Sequence, residues 1–194
     1  MVLGIAVLRT VGWIVAIVYS TIPSYWLLIH PRVDWWRRRR ARLALVGPLW
    51  FILWLAAGAI TWPWRHIALY TVPWAWIPAV ALIAAGLFVY SRARQNFSTD
   101  QVLGRSELEP GKHEQRLNTQ GIRARVRHPY YLGHLCELLG WTIGTGLVVL
   151  WFLLVFAVIT GVFMVRSEER ELEARFGEGY REYQRRVPAI ITRL

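Results

Sequence analysis

Residues able to do chemistry gather in the last 80 positions of this 194-residue chain. The first group lies between Gln115 and Gly133, where Gln115, Arg116, Leu117 and Asn118 lead through Gly121, Arg123 and Arg125 to Arg127, His128, Pro129, Tyr130 and Tyr131. Proline suits the first turn of a helix, so a helix is expected to open at Pro129. The free amides of that helix start, together with the Arg and His side chains, would seat an anionic group such as a carboxylate or phosphate. The same residue types also suit a plain Arg, His and Tyr anchor at a membrane surface.

The second group follows an apolar run and begins Arg166, Ser167, Glu168, Glu169. Beyond it Leu172, Phe176, Tyr180 and Tyr183 recur at three- and four-residue spacing, as on one face of an amphipathic helix interrupted near Gly177. Most charges of that helix need no special task. Glu168 and Glu169 differ because, directly after the apolar run, they can face the His128 group. A third feature is Glu137, the only acidic residue inside an apolar segment, three residues after His134 and so on the same helical face. An ionisable pair in lipid reads as functional, here lining an acceptor pocket with Glu137 or His134 as base. It reads equally as a structural pair, or a protonated Glu137, that holds helices together. His128, His134, Cys136 and Glu137 match no standard zinc spacing, and no metal is expected.

The elements that must carry these groups follow from composition. The chain is 55% apolar with 12 Trp and 18% charged residues, and its mean hydropathy is +0.32. Disorder is excluded by the aromatic content, and a disulfide scaffold by the single Cys136. The expectation is one all-α membrane domain over residues 1–194, with three N-terminal spanning helices in 1–90 and the chemical groups in 91–194. A bilayer core of about 30 Å needs about 20 apolar residues per helix. Thr10 to Ile29, Leu43 to Trp62 and a stretch within Ile67 to Tyr90 meet that need. Leu132 to Val165 is too long for one span, and a turn at Gly144, Thr145 and Gly146 would divide it. A bundle of about five spans with a C-terminal cytoplasmic amphipathic helix results.

Charge gives an independent check. The formal net charge is +11, from 23 Lys and Arg against 12 Asp and Glu. Six Arg lie in His30 to Arg42, eight Lys or Arg in Ser91 to His128 and seven in Arg166 to Leu194, together 21 of the 23. With five spans these stretches fall on one side, which the positive-inside rule makes the cytoplasm, leaving the N-terminus outside. The run Arg37 to Arg40 is then a topology signal against anionic lipid rather than a nucleic-acid contact. The first span has no basic leader and no small-residue cleavage site, and reads as a real span rather than a signal peptide.

The Gly121 to Gly133 segment with its Arg-His-Pro-x-Tyr core, the Glu168 and Glu169 pair, and Phe176-Gly177 with Tyr180, Tyr183, Val187 and Pro188 resemble the isoprenylcysteine carboxyl methyltransferase and phospholipid methyltransferase families. The resemblance covers Gln115 to Pro188. It implies methyl transfer from S-adenosylmethionine, without metal, to a lipophilic or amphiphilic acceptor at the cytoplasmic face. By position it implies that His128, Pro129, Tyr130, Tyr131 and the main chain of Gln115, Arg116, Leu117 and Asn118 contact the cofactor. Glu168 would be its acidic contact, more than Glu169. Arg123 stands where the carboxyl methyltransferases carry Tyr, and Arg166 would contact substrate only through a shift, since Met164 occupies the matching position. Alternatives are a membrane reductase of the sterol reductase type using NADPH, which shares the C-terminal half, or a noncatalytic lipid-binding membrane protein.

Overall fold

The computed structural model describes residues 2–38, 45–95 and 117–191. In them the chain forms α1 (Val2–Ile29), a 3-10 turn (His30–Arg32), α2 (Val33–Arg37), α3 (Val46–Thr61), two 3-10 turns (Trp62–Trp64 and Pro73–Ala75), α4 (Trp76–Arg94), a further 3-10 turn (Gly121–Ala124), α5 (Pro129–Thr145), α6 (Val148–Phe176) and α7 (Glu178–Arg186). All five apolar segments are helical. Gly4–Trp36, Pro73–Arg94 and Val148–Phe176 are long and apolar enough to cross a membrane, whereas α3 and α5 have 16 and 17 residues. At 1.5 Å per residue those two reach only about 24–26 Å, short of a bilayer core. Large apolar side chains such as Phe51, Leu55, Ile77, Phe88, Phe152 and Phe163 point outward from these helices. Water would not tolerate so broad an apolar belt, but lipid does.

In lipid each backbone and hydroxyl group needs an internal partner. Buried Thr21 and Thr142 return their hydroxyls to the carbonyls of Ile17 and Leu138. α4 and α5 run antiparallel with their backbones close together. Ala79 and Gly86 are buried along α4, facing Gly133, Gly140 and Gly144 of α5. A Cβ on Gly140 would lie 2.8 Å from the Ala79 carbonyl oxygen, and one on Gly86 2.9 Å from that of Gly133. Without a hydrophobic drive between helices in lipid, such small-residue seams are what bring them together. α1 covers the other side of α5 and α6 through Trp13, Ala16 and Ile17, which pack on Leu138, Val149, Leu150, Leu153 and Ala157. α3 rests on α1.

The expected division of the long apolar run is present. Gly146 sits at φ +66 and its amide bonds the Thr142 carbonyl at 3.1 Å, a left-handed helix end that favours glycine. This turn docks on the connection between α3 and α4, with Leu69 N to Gly146 O at 2.8 Å and Val148 N to Ile67 O at 2.9 Å. Arg9 reaches Tyr70 O at the same end of the bundle. His30, Arg94, the Gly121–Ala124 turn and the C-terminal segment lie at the other. The five apolar helices thus run alternately between two ends. Trp62, Trp64 and Trp74 are exposed at the first end and Trp35 at the second, but Trp36 is turned inward, its indole donating to Leu28 O at 2.8 Å.

Candidate active site

His128 directly precedes α5 and is pinned from the far end of the chain. After α7 the backbone returns across the helix start, so that Arg127 N donates to Pro188 O and His128 N to Ala189 O, each at 3.0 Å. α6 supplies two carboxylates to the imidazole. Nδ1 lies 3.1 Å from Glu168 Oε2, and Nε2 lies 3.1 Å from Glu169 Oε1. With both nitrogens facing carboxylates, the ring donates twice only as imidazolium. Burial alone would lower its pKa, but Glu168 and Glu169 outweigh burial and hold it at about 9. Burial would likewise raise Glu168, yet His128, with His30 and Arg123 behind it, holds that carboxyl down at about 2. At 29 residues α6 is about 43 Å long, so its charged end stands clear of the hydrocarbon.

The two carboxylates have different surroundings. Glu169 is enclosed: Arg127 Nε donates to Oε1 at 2.7 Å, His128 shares that oxygen, and Gln184 Nε2 lies 3.3 Å from Oε2. Arg127 also donates to the carbonyls of Val187 and Gln184, tying the helix start to the end of α7. Glu168 uses one oxygen for His128 and keeps its side chain 26% exposed, against 12% for Glu169. It therefore presents a fixed, ionised and accessible carboxylate.

The remaining residues sort by direction. Arg123 is buried in the Gly121–Ala124 turn, which opens on Gly121 at φ +62, and donates to Ala93 O at 3.0 Å while its guanidinium lies over the Tyr130 ring at 5.7 Å. Tyr183 of α7 donates to Arg123 O at 2.6 Å. Leu117 packs on the Tyr180, Tyr183 and Val187 cluster, and Asn118 Oδ1 accepts from Gln120 N in a local turn. Tyr131, beside Tyr130 in sequence, points elsewhere. Its ring packs against α6 above Gly161 and its hydroxyl donates to Ala157 O at 2.5 Å. Arg166 is exposed on α6 and Met164 is buried. Gln115 and Arg116 lie outside the described residues.

Glu137 and His134 share a face of α5 but do not pair with each other. His134 Nδ1 donates to Tyr130 O at 2.6 Å, and Glu137 Oε2 accepts from Tyr19 of α1 at 2.7 Å. Tyr19 and Tyr90 each set a ring edge-to-face with His134, at 5.1 and 5.2 Å between centroids. Sequence reasoning missed Tyr19, Tyr90, Arg127, Gln184 and also His30, whose Nδ1 meets Glu171 Oε2 at 2.8 Å while its ring stacks on Trp26. Arg127 stood inside the recognised segment. Tyr19 of α1 had no signal beyond being polar in an apolar helix.

Comparison with known proteins adds the following. A family model described as phospholipid methyltransferase matches residues 73–179. Protein-S-isoprenylcysteine O-methyltransferase of Schizosaccharomyces pombe is 35% identical over 80 residues, 39% of this chain and 32% of that protein. The chain therefore spans about a third of that relative's length. An uncharacterized protein of Haemophilus influenzae is 36% identical over 58 residues, 29% of this chain and 92% of that protein. No solved structure matches. The matched family segment begins at Pro73, so it takes in α4 as well as the α5 and α6 hairpin, beyond the stretch whose motifs were legible.

Proposed function

The chain belongs to the phospholipid methyltransferase family, and from that premise we propose that it transfers a methyl group from S-adenosylmethionine to a lipophilic or amphiphilic acceptor at the cytoplasmic face of a membrane. The observation that carries the reading is Glu168, an ionised carboxylate fixed on one side by His128 and open on the other. The cofactor brings an ammonium and ribose hydroxyls, both donors that an open carboxylate accepts, and a carboxylate that suits nearby cations. The residues fit it. Glu168 and the main chain around Leu117 and Asn118 would hold its donors, with His128, Pro129 and Tyr130 forming the wall at the helix start. Arg123, beneath Tyr130, and Glu169, enclosed by Arg127 and Gln184, would shape that wall from behind.

When bound, the sulfonium supplies an already activated methyl group, so the protein's task is positioning at a near-attack distance of about 3–3.5 Å. The pinned His128 and Arg127 backbone serves that end, because three separate parts of the chain must agree before the wall exists. Toward the bundle interior, Glu137 and His134 line the side from which an acceptor dissolved in lipid would arrive. For a protic acceptor the bond to hydrogen breaks as the bond to methyl forms, and Glu137 would take the proton. Tyr131 serves by locking α5 to α6, and Arg166, exposed at the lipid boundary, would meet an anionic part of the acceptor or a lipid headgroup.

Titration of the purified protein with S-adenosylmethionine and, separately, with NADPH tests the reading. Binding of the former, weakened at least tenfold by Glu168→Ala and by His128→Ala, is expected. Selective NADPH binding, or binding of neither, overturns it. Incubation with methyl-labelled cofactor and host lipid extract then identifies the acceptor by mass spectrometry.

A further inference from the structure

The polar groups around Glu137 are more than a helix clamp. Glu137 is 5% exposed, and among the described residues its Oε2 has Tyr19 as partner while Oε1 is buried without one. The Tyr90 hydroxyl is also buried with no partner at hydrogen-bond geometry among the described residues, although it lies close to the Tyr19 hydroxyl and to Glu137. Three helices contribute: Tyr19 from α1, Tyr90 from α4, and His134 and Glu137 from α5. Their placement is over-determined. A Cβ on Gly133 would lie 3.3 Å from the Tyr90 ring, and one on Gly86 2.6 Å from Glu137 Cγ, so glycine on each helix makes room for the polar residue of the other. Two buried polar atoms without a partner in one cluster among apolar helices are costly unless something satisfies them.

We propose that Glu137 Oε1 and the Tyr90 hydroxyl form a binding site, framed by the rings of Tyr19 and His134, for an uncharged or cationic headgroup carrying an N–H or O–H, and that Tyr19 is the positioning residue that turns Oε1 toward it. The inference rests on the acceptor side assigned above and names its chemistry. A headgroup that donates to Oε1 and meets the Tyr90 hydroxyl satisfies both orphans at once. The surrounding π faces favour a partial or full positive charge. A carboxylate headgroup meets the opposite situation, because among the described residues Glu137 bonds to the Tyr19 hydroxyl and makes no ion pair with a basic side chain. A second anion there would be buried beside the first with nothing to balance it. The donor on Tyr19 matters because it fixes the Glu137 rotamer. Without it the carboxyl is free to turn Oε1 away from the site.

Binding is tested with the full chain in detergent, without cofactor, using dodecylamine, dodecanol and dodecanoic acid as probes that share one tail. The amine or the alcohol is expected to bind at least tenfold more tightly than the acid, the two arms separating a cationic from a neutral donor. Tyr90→Phe and Glu137→Gln should each reduce that preference about tenfold. Tyr19→Phe should weaken amine or alcohol binding about tenfold while S-adenosylmethionine binding stays unchanged. Should Glu137→Gln fail to fold, Tyr90→Phe decides, since it removes one oxygen from an otherwise unaltered ring. Equal binding of the acid, or a preference that survives Tyr90→Phe, overturns the proposal. Titration with S-adenosylmethionine on the same samples keeps the two readings apart: its failure in the unaltered protein removes the methyl-transfer reading and leaves the headgroup preference standing.

Discussion

At the scale of single residues the site depends on one proton. His128 satisfies two carboxylates only while doubly protonated, and its folded pKa of about 9 lies above the ordinary value of about 6.5. A raised pKa contributes stability that is fully present below the unfolded value and is lost as pH rises through the folded one. Thermal unfolding in detergent should therefore show a melting temperature that falls between about pH 7 and pH 10. His128→Asn should be less stable at neutral pH and lack most of that slope; a variant that keeps the full slope would assign the proton to another group. Arg127 makes a different point. Its guanidinium serves Glu169 through Nε while also reaching the carbonyls of Gln184 and Val187, a fork that an ammonium does not reproduce. Arg127→Lys is expected to cost about 1–3 kcal/mol in denaturant unfolding and to expose the segment after α7 to early hydrogen exchange. His128 and Glu168 were legible because their chemistry is unusual at those places, whereas Arg127 was one Arg among several until a partner 42 positions away singled it out.

Between elements, the fold depends on which side chains are absent. Tyr131 donates to Ala157 O from α5 to α6, and a Cβ on Gly161 would overlap its hydroxyl outright. Gly161→Ala should destabilise the protein by about 1–3 kcal/mol or more, through displacement of the Tyr131 ring. Tyr131→Phe keeps most of that clash, but Tyr131→Ala removes it. A double-mutant cycle should thus find Gly161→Ala nearly harmless in the Tyr131→Ala background, and additive losses would show that the two residues do not compete for the same space. Resemblance pointed to Tyr131 as a cofactor contact because it is the tyrosine of the Arg-His-Pro-x-Tyr core, yet in the structure its ring turns into the interface with α6. The helices themselves were readable from apolar length, and the turn at Gly146 from its glycines. The seam of Ala79, Gly86, Gly133 and Gly140 was not, because small residues announce a close approach without saying to which neighbour. The same holds for Tyr19 and His30. Tyr19 lies on α1 and His30 in the turn directly after it, both on the face of this N-terminal segment that is turned toward α5 and α6. That face reaches the Glu137 group at one level and the Glu171 carboxylate at another, although α1 lies wholly outside the family segment of residues 73–179.

For the molecule as a whole, charge and architecture make one prediction together. Composition alone gave an apolar chain with a net charge of +11, and the structure shows where the described part of that charge sits. Arg9 and Arg65 accompany the Gly146 turn and the α3 to α4 connection at one end, with Arg65 lying over Trp62. Arg32, Arg92, Arg94, Arg123, Arg125, Arg127 and the cations of α6 and α7 belong to the other. Translocating a cation is costly, so the crowded end should remain cytoplasmic. The proposed active site lies there too, which agrees with a water-soluble cofactor drawn from the cytoplasm. A reporter enzyme active only in the cytoplasm should work when fused after Leu194 and fail when inserted at His66. A reporter active only outside should give the reverse. The alternation of five helices makes the two results a linked pair: an inverted pair would mean that the whole bundle is reversed, and the same result at both sites would mean that the α4, α5 and α6 crossings do not sum to an odd number. Replacing Arg92, Arg94 and Arg125 together with Gln should leave the buried ion pairs of His128 and Glu169 intact while lowering the fraction inserted in the proposed orientation. Such an effect would separate the cations that direct insertion from those that build the site.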